Sequence, residues 1–395
     1  QEGYVRPSAA HVGRPSTYVD QLIINGEGGV HHVWGCDHFK TTVNIQEYRR
    51  RYRERTNQVK EAMSNAPAGD RAAQVEAIMQ EIRQGGLFSV DTDIVPTEIG
   101  QCAHVILPAA TSGEMNLTSK NGERRTRLTE RYMDPPGNAR PDCLIAAGLA
   151  QQLERSWREA GDDETADKFK GYDWETEEDA FMDGYHQHFT GGEYVTYDRL
   201  REAGTNGFQS PAQGYDPETG IQGTPRLYTD GKFDTEDGRA IFKATAWRGL
   251  NVAGKEQERA KYPYLINNGR SNHVWQSAYL DKESDFVQDR WPYPFLEMHP
   301  DDMAEIGLSA GDLAEVYNDN GQTQAMVQPT ETARKGETFM QFGYPSGVQG
   351  NVVSEGVNRL IIPNYKQTWG SIRKLANAPE DVQHLSFKSK EYRTG

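Results

Sequence analysis

Two short apolar runs, "VHHVW" at Val30–Trp34 and "LFSV" at Leu87–Val90, are separated by a long stretch that carries two helix signatures and no strand. That spacing constrains the fold more than any other feature of the chain. Asn44 with Glu47 three residues on forms a capping-box-like start for a helix reaching about Ser64. Asp70 caps a second helix ending at Gly85, with Val75, Ile78, Met79 and Ile82 as its apolar face. Ahead of both, Ser16 caps a short helix through "TYVDQLIIN" that Gly26 stops. Strands joined by helices rather than by a tight turn pair in parallel through a right-handed crossover. This part of the chain therefore reads as an α/β layer with a parallel sheet, in which Val30–Trp34 is a buried strand. "HVIL" at His104–Leu107 supplies a further strand, and a helix fits Pro141 to Trp157.

The pattern then changes twice. From Gly161 to about Ala260, acidic residues crowd "GDDETADKFKGYDWETEEDA", and Gly, Pro, Asp and Asn recur through "GTNGFQSPAQGYDPETG". This predicts a loop-rich connecting region. Beyond Tyr262 the runs become short and alternating, with Asp319, Asn320 and Gly321 as hairpin chemistry between two β runs and "HPDDMAEIGL" as one short helix. An antiparallel β-barrel with one helix is expected there. The 395 residues exceed one core of about 100 to 200 residues, which gives three regions: 1–160, 161–260 and 261–395.

Several function classes are excluded by composition. A formal charge of -15 argues against a nucleic-acid grip, which needs clustered Lys and Arg. The one basic run, "RRRYRER" at Arg49–Arg55, sits inside a helical pattern and reads as a solvated face. No apolar run approaches the roughly 18 residues of a membrane span. Cys36, Cys102 and Cys143 are too far apart for a CxxC pair, so they read as buried thiols. The chain opens on Gln1, with neither an initiator methionine nor a basic-then-apolar signal, and is expected to be a piece of a longer protein.

Open α/β sheets hold ligands beyond the carboxyl ends of their strands, which here means the loops after Trp34 and Val90. "GCDHFKTT" offers Asp37, and "DTD" offers Asp91 and Asp93, carboxylates suited to a ribose diol or a guanine NH edge and equally suited to capping loops. No glycine-rich fingerprint or P-loop is present. Arg124 and Arg125, in "GEMNLTSKNGERRTR", suit internal salt bridges or a diphosphate. His31 and His32 are adjacent on a strand and face opposite sides, and His186 and His188 have no evident third ligand. "NNGRSNHVWQS" at Asn267–Ser277 concentrates donors and acceptors directly behind the apolar "YPYLI", as an anion site or as a plain loop. On residue chemistry alone the chain holds a polar ligand and shows no catalyst of its own. A non-catalytic nucleotide-binding module stays open on these grounds.

Longer stretches resemble a known family. "FSVDTDIVPTEIGQCAHVILPAATSGEMNLTSKNGERRTR" and "DPPGNARPD" resemble the third domain of the dimethyl sulfoxide reductase family. "NNGRSNHVWQS", "HPDDMAEIGLSAGDLAEVYNDNG" and "GVNRLIIP" are similar to that family's carboxy-terminal dinucleotide-binding domain, in order and spacing. Within the family, "GVHHVWGCDHFKTT", "RLTERYMDPPG", "DFVQDRWPYPFLEMHP" and "YPSGVQGNVVSEGVNRLIIPNYKQTWG" look like the arsenite oxidase large subunits. The resemblance implies a Rossmann-like α/β domain, a dinucleotide-binding barrel, and molybdenum held by two molybdopterin guanine dinucleotides. It places cofactor contacts on Gly35, Cys36, Asp37, Thr92, Asp93 and Asp142, and then on Asn268, Gly269, Arg270, Ser271, Asn272, His273, Trp275, Gln276, Ser277, Phe342, Asn358 and Lys374. Met115 stands where some relatives have a cofactor-touching lysine, and Cys36–Asp37 replaces a frequent small-residue and Asn pair. The implied activity is arsenite oxidation, with electrons leaving through an iron-sulfur cluster upstream of Gln1 to a small Rieske-type iron-sulfur subunit and a periplasmic electron carrier. Another enzyme of the same family, acting on a different small oxyanion, is the alternative.

Overall fold

The computed structural model describes residues 16–242, 244, 255–271, 274, 278, 285–290, 293–344, 347–353, 366 and 368–378. These divide into two compact units, Leu107–Ala246 being one and the described parts of Pro7–Ile106 and Trp247–Gly395 the other. Among the described residues, no helix is long and apolar enough to cross a membrane.

The α/β part of the larger unit runs α1 (Ser16–Ile24), β1 (Val30–Trp34), α2 (His38–Thr41), α3 (Ile45–Asn65), α4 (Arg71–Arg83), β2 (Phe88–Asp93) and β3 (Val105–Pro108). β1 and β2 pair in parallel from Val30↔Phe88 to Trp34↔Thr92, and β3 completes the sheet in the order β1-β2-β3. The α4 cap forms as its sequence dictates, Asp70 accepting from the Ala73 N–H. The α3 capping box does not form. Asn44 is left-handed at φ 50° and makes no side-chain cap bond, its N–H goes to the Val353 carbonyl at 3.1 Å, and Glu47 pairs with Arg50 instead. Nor is β1 a buried strand: only Val33 is buried, and Val30 is exposed. The apolar residues of α4 are likewise not buried, Val75 and Met79 being exposed. The core instead gathers Ile23, Val33, Phe39, Tyr48, Tyr52, Leu87, Ile99 and Cys102.

The smaller unit contains β4 (Leu117–Lys120), β5 (Arg125–Thr129), α5 (Asp142–Glu159), α6 (Asp163–Ala166), α7 (Glu177–His188), α8 (Tyr197–Ala203), β6 (Phe208–Gln209), β7 (Gly214–Asp216) and β8 (Gly220–Gln222). The stretch expected to be loop-rich thus carries helices and a core of Tyr185, Val195, Tyr197, Leu200, Phe208 and Ala212, against which Leu128 packs. The apolar residues are too widely spaced for a periodic signal, and tertiary packing collects them. Thr126, Tyr185 and Ser210 link their buried hydroxyls at 2.8 Å through Ser210. Arg124 and Arg125 serve internal bonding here: Arg124 donates to the carbonyls of Ser210 and Thr224, and Arg125 pairs with Glu123 and donates to the Asn206 carbonyl.

Returning to the larger unit, the chain forms α9 (Lys255–Lys261), β9 (Tyr264–Gly269), α10 (Asp285–Arg290), β10 (Phe295–Met298), α11 (Pro300–Glu305), β11 (Leu313–Asn318), β12 (Gly321–Pro329), β13 (Glu337–Gln341) and β14 (Trp369–Ala376). Six of these strands close a barrel in the order β10-β12-β11-β14-β9-β13. The barrel is mixed rather than antiparallel, because β10 runs parallel to β12 and β9 parallel to β13. Crossovers such as α11 between β10 and β11 permit this, whereas the hairpin at Asp319–Asn320 holds β11 and β12 antiparallel. Ile266, Leu296, Met298, Val316, Val327 and Met340 fill the interior.

One side chain fixes the α/β layer. Arg55, on α3 and only 2% exposed, donates to the carbonyls of Ile23 at 2.8 Å, Glu27 at 3.0 Å, Gly28 at 2.5 Å, Gly85 at 2.6 Å and Gly86 at 3.4 Å. The basic run is therefore not uniformly a solvated face. Gly86 is required beside it, since a Cβ would lie 2.9 Å from both the Glu81 carbonyl oxygen and Val59. Arg55→Ala is expected to destabilise the protein by about 3 to 5 kcal/mol in chemical denaturation, by removing the hydrogen bonds that tie the two turns together and leaving a cavity in place of a buried side chain. Arg55→Lys should recover little, since an ammonium cannot span five acceptors in fork geometry.

Candidate functional site

The first candidate site lies beyond the carboxyl ends of β1 and β2. Gly35 turns the chain there at φ +54°, its N–H bonded to the Thr92 carbonyl at 2.9 Å, a conformation that favours glycine. Thr92 is buried, and its hydroxyl meets His32 Nε2 at 2.8 Å. His31, on the opposite face, meets the Tyr52 hydroxyl at 3.1 Å. Asp37 is 2% exposed and accepts from the N–H groups of Phe39 and Glu98, with Lys40 Nζ at 3.1 Å. Three acceptor positions of its carboxylate are thus used within the protein, which leaves little capacity for a guanine edge. Asp93 is buried and accepts from the Ile94 N–H at 2.7 Å.

Asp91 accepts from the Thr97 hydroxyl through Oδ2, while its buried Oδ1 has no hydrogen-bond partner among the described residues. Burial, against the Thr97 bond, pushes this carboxyl up to about 6. Cys36 is part-exposed, with the Thr41 hydroxyl 3.5 Å from its sulfur. His38 Nδ1 lies 2.9 Å from Asp20 Oδ1, and the Thr42 hydroxyl donates to the other oxygen of Asp20. Although burial opposes it, the bonds to Asp20 and Cys36 raise His38 to about 10, so the imidazole is cationic at neutral pH.

The second candidate site is one end of the barrel. Parallel pairing of β9 with β13 brings Gly269 opposite Gln341, and the Phe342 N–H bonds the Gly269 carbonyl at 2.8 Å. Asn268 is buried, and its side-chain amide donates to Gln349 Oε1 at 2.7 Å. Lys366 Nζ donates to Asn268 Oδ1 at 2.9 Å and to the Asn268 carbonyl. Burial pushes the Lys366 ammonium down from its ordinary range. Around this cluster, Gln341 Oε1, Gln349 Nε2 and the Thr368 hydroxyl are buried with no hydrogen-bond partner among the described residues. Buried acceptors and donors left open together call for a ligand or water that offers both.

Of the expected contacts, Gly35, Cys36, Asp37, Thr92 and Asp93 fall at the first site, and Asn268, Gly269 and Phe342 at the second. Arg270 follows directly, with an exposed side chain, and Ser271 bridges to Val274. Asn272, His273, Trp275, Gln276, Ser277 and Asn358 lie outside the described residues. Asp142, in the smaller unit, opens α5 with its side chain exposed, an acid at a helix amino terminus. Lys374 is not brought to the barrel end. β14 runs antiparallel to β9 with Gly370 opposite Tyr264, so positions after Gly370 pass beyond the start of β9, away from Gly269. Lys374 pairs with buried Asp312 at 2.8 Å instead. The same register places Lys366 beside Asn268, a residue that sequence reasoning passed over. Its signal was available only as distance from β14 once that strand's partner was known.

Comparison with known proteins covers the segments that carry both candidate sites. The family model Molybdopterin oxidoreductase matches residues 25–152, and the family model Molydopterin dinucleotide binding domain matches residues 264–372. The chain belongs to the molybdopterin oxidoreductases. More particularly, it is 45% identical to the arsenite oxidase subunit AioA of Herminiimonas arsenicoxydans, over 99% of this chain and 48% of that protein. It is 29% identical to the iodate reductase subunit IdrA of Denitromonas iodatirespirans, over 78% of this chain and 41% of that protein. The chain thus spans about half the length of these relatives or less. The acetylene hydratase structure from Pelobacter acetylenicus shares the fold, with a TM-score of 0.56 and 14% identity, over 91% of this chain and 46% of that chain.

The His38–Asp20 pair sets a pH expectation. The folded value for His38 lies above the ordinary 6.5, so its contribution to stability is complete below about 6.5 and is lost as pH rises through about 10. Thermal midpoints of the wild type should therefore fall between pH 7 and pH 10, and Asp20→Asn should flatten that dependence.

Proposed function

We propose that this chain is the carboxy-terminal part of an arsenite oxidase large subunit, and that its two strand-end sites hold a molybdenum bis(molybdopterin guanine dinucleotide) cofactor. The observation that carries this reading is the 45% identity to an arsenite oxidase subunit across 99% of the chain, through both sites. The donor set at the barrel end supports it independently. A pterin ring offers ring-nitrogen acceptors and amide and amine donors together, which is what open Gln341 Oε1, Gln349 Nε2 and Thr368 call for.

The residues divide the work. Asn268, held by Lys366 and Gln349, presents a fixed hydrogen-bonding edge, and the Lys366 ammonium supplies positive charge where a diphosphate needs it. Gly35 lets the backbone approach closely at the other site, and Thr92, Asp93 and Asp37 shape its floor. When bound, molybdenum supplies the two-electron chemistry, and the protein supplies position and electrostatics. On this reading the substrate is arsenite, the electrons leave through an iron-sulfur cluster outside this chain, a small Rieske-type subunit and a periplasmic carrier receive them, and the enzyme is periplasmic. A second reading, a family member acting on another small oxyanion, is favoured by the likeness to an iodate reductase subunit over 78% of the chain.

Metal and nucleotide analysis of the full-length protein tests the cofactor. Molybdenum with two guanine dinucleotides per large subunit is expected, together with arsenite-dependent reduction of an artificial acceptor. A metal-free protein that binds only free nucleotide would sink the proposal, and turnover with iodate but not arsenite would favour the second reading. Lys366→Met should weaken cofactor retention by about 2- to 10-fold, because the lysine is exposed overall and its hydrogen bonds are worth about 0.5 to 1.5 kcal/mol. Lys374→Met, which removes only the bond to Asp312, should leave molybdenum occupancy unchanged. The reverse outcome would return the contact to Lys374.

A further inference from the structure

A cavity of about 240 Å³ lies between α3 and the barrel, within the larger unit, and none of the residues placed at the two strand-end sites lines it. Gln46 and Arg49, three residues apart and so on one face of α3, form one side. Glu315 of β11 and Gln324 of β12 are paired across the barrel wall and form the other. Alternation along β11 puts Glu315 on the face opposite Ala314 and Val316, which fill the barrel interior, so the cavity lies on the outer wall. Asn351 and the exposed Leu375 complete it.

Two residues of this lining carry a buried polar atom with no hydrogen-bond partner among the described residues, Arg49 at Nε and Asn351 at Oδ1. Both side chains are otherwise fixed. Arg49 Nη2 donates to Glu98 at 3.1 Å, and its guanidinium lies over the Phe39 ring at 5.7 Å. Asn351 is 8% exposed, and its side-chain nitrogen donates to the Gln322 carbonyl at 2.9 Å, which leaves the amide oxygen as the open acceptor. A charged donor and an amide acceptor left open in one cavity call for a ligand with an acceptor at one end and a donor at the other.

Charge narrows the class. Glu315, 6% exposed, pairs through one oxygen with Arg373, as Arg49 pairs with Glu98, so these four fixed charges sum to zero. An anion alone would meet the Glu315 carboxylate and the Asn351 oxygen, both acceptors, and a cation alone would meet the Arg49 guanidinium. The volume is below the roughly 300 to 1,000 Å³ of pockets that hold drug-sized ligands, which excludes a dinucleotide. We propose that this cavity is a binding site for a small zwitterion of the α-amino acid class. Its carboxylate accepts from Arg49 Nε, and its ammonium donates to Asn351 Oδ1 on the Glu315 side.

The test uses the full-length protein as purified, titrated by calorimetry with glycine, serine and glutamine, and with acetate and methylammonium as the two halves of the ligand. Saturable binding at one site per large subunit is expected for at least one amino acid, with acetate and methylammonium at least about tenfold weaker, the worth of a charge-assisted hydrogen bond. Gln46→Trp, at an exposed position on the cavity wall, should weaken that binding at least about tenfold by filling the space, with molybdenum occupancy unchanged. Arg49→Lys should weaken it similarly by removing Nε. Absence of saturable binding would mean that the cavity holds only water and would overturn the proposal. Acetate binding as tightly as the amino acid, or an affinity unchanged in Gln46→Trp, would overturn it as well. Loss of molybdenum in Gln46→Trp would assign the cavity to the cofactor instead. The wild-type comparison of whole and half ligands decides the matter even if Arg49→Lys does not fold.

Discussion

The α/β layer depends on the guanidinium of Arg55. Its three nitrogens reach carbonyls in two separate turns, the one that follows α1 and the one that follows α4. A planar group with five donors in fixed directions can do this, and a flexible ammonium cannot. The two turns lead directly into β1 and β2, so the same side chain sets where both strands begin. Parallel pairing from Val30↔Phe88 then carries that alignment to the other end, where Gly35 meets Thr92. The loops that form the first candidate site are thus positioned by a residue buried at the opposite end of the strands.

At the barrel the corresponding constraint is register. β9 and β13 run side by side in the same direction, so their carboxyl ends, Gly269 and Gln341, arrive together. β14 enters antiparallel, so the residues that precede it, and not those late in it, lie beside Asn268. Two lysines eight residues apart in sequence therefore have unrelated roles. Lys366 faces the polar cluster, and Lys374 neutralises Asp312 beyond the far end of β9. The open hydrogen-bonding atoms of Gln341, Gln349 and Thr368 complete the cluster from three separate segments.

Local sequence made some of this legible. The Asp70 cap, the Asp319–Asn320 hairpin, the helix opening at Pro300 and the parallel pairing of the first two strands all appear where short-range rules place them. Those rules failed where a distant partner competed. The Asn44 N–H is bonded to Val353 and Glu47 to Arg50, so the reciprocal bond of a capping box is not made. The apparent loops between Gly161 and Ala260 hold Tyr185, Val195, Tyr197 and Phe208, whose spacing follows no helical or strand period. A run of arginines looked uniformly solvated until one of them proved to be the buried tie between turns.

For the site, residue type and order were enough to nominate the strand-end loops, because strand ends follow from the parallel crossover, and stretches such as "NNGRSNHVWQS" carry a family likeness without any structure. What the sequence by itself determined was therefore the class of fold, the two loops after β1 and β2, and the polar character of the barrel end. Tertiary structure alone decided which atoms there remain open, that Asp37 is already engaged by Lys40 and two backbone N–H groups, and that Lys366 rather than Lys374 reaches Asn268. The reason is physical. Composition and periodicity report what each residue can do locally, whereas hydrogen-bond saturation and strand register depend on partners many residues away along the chain.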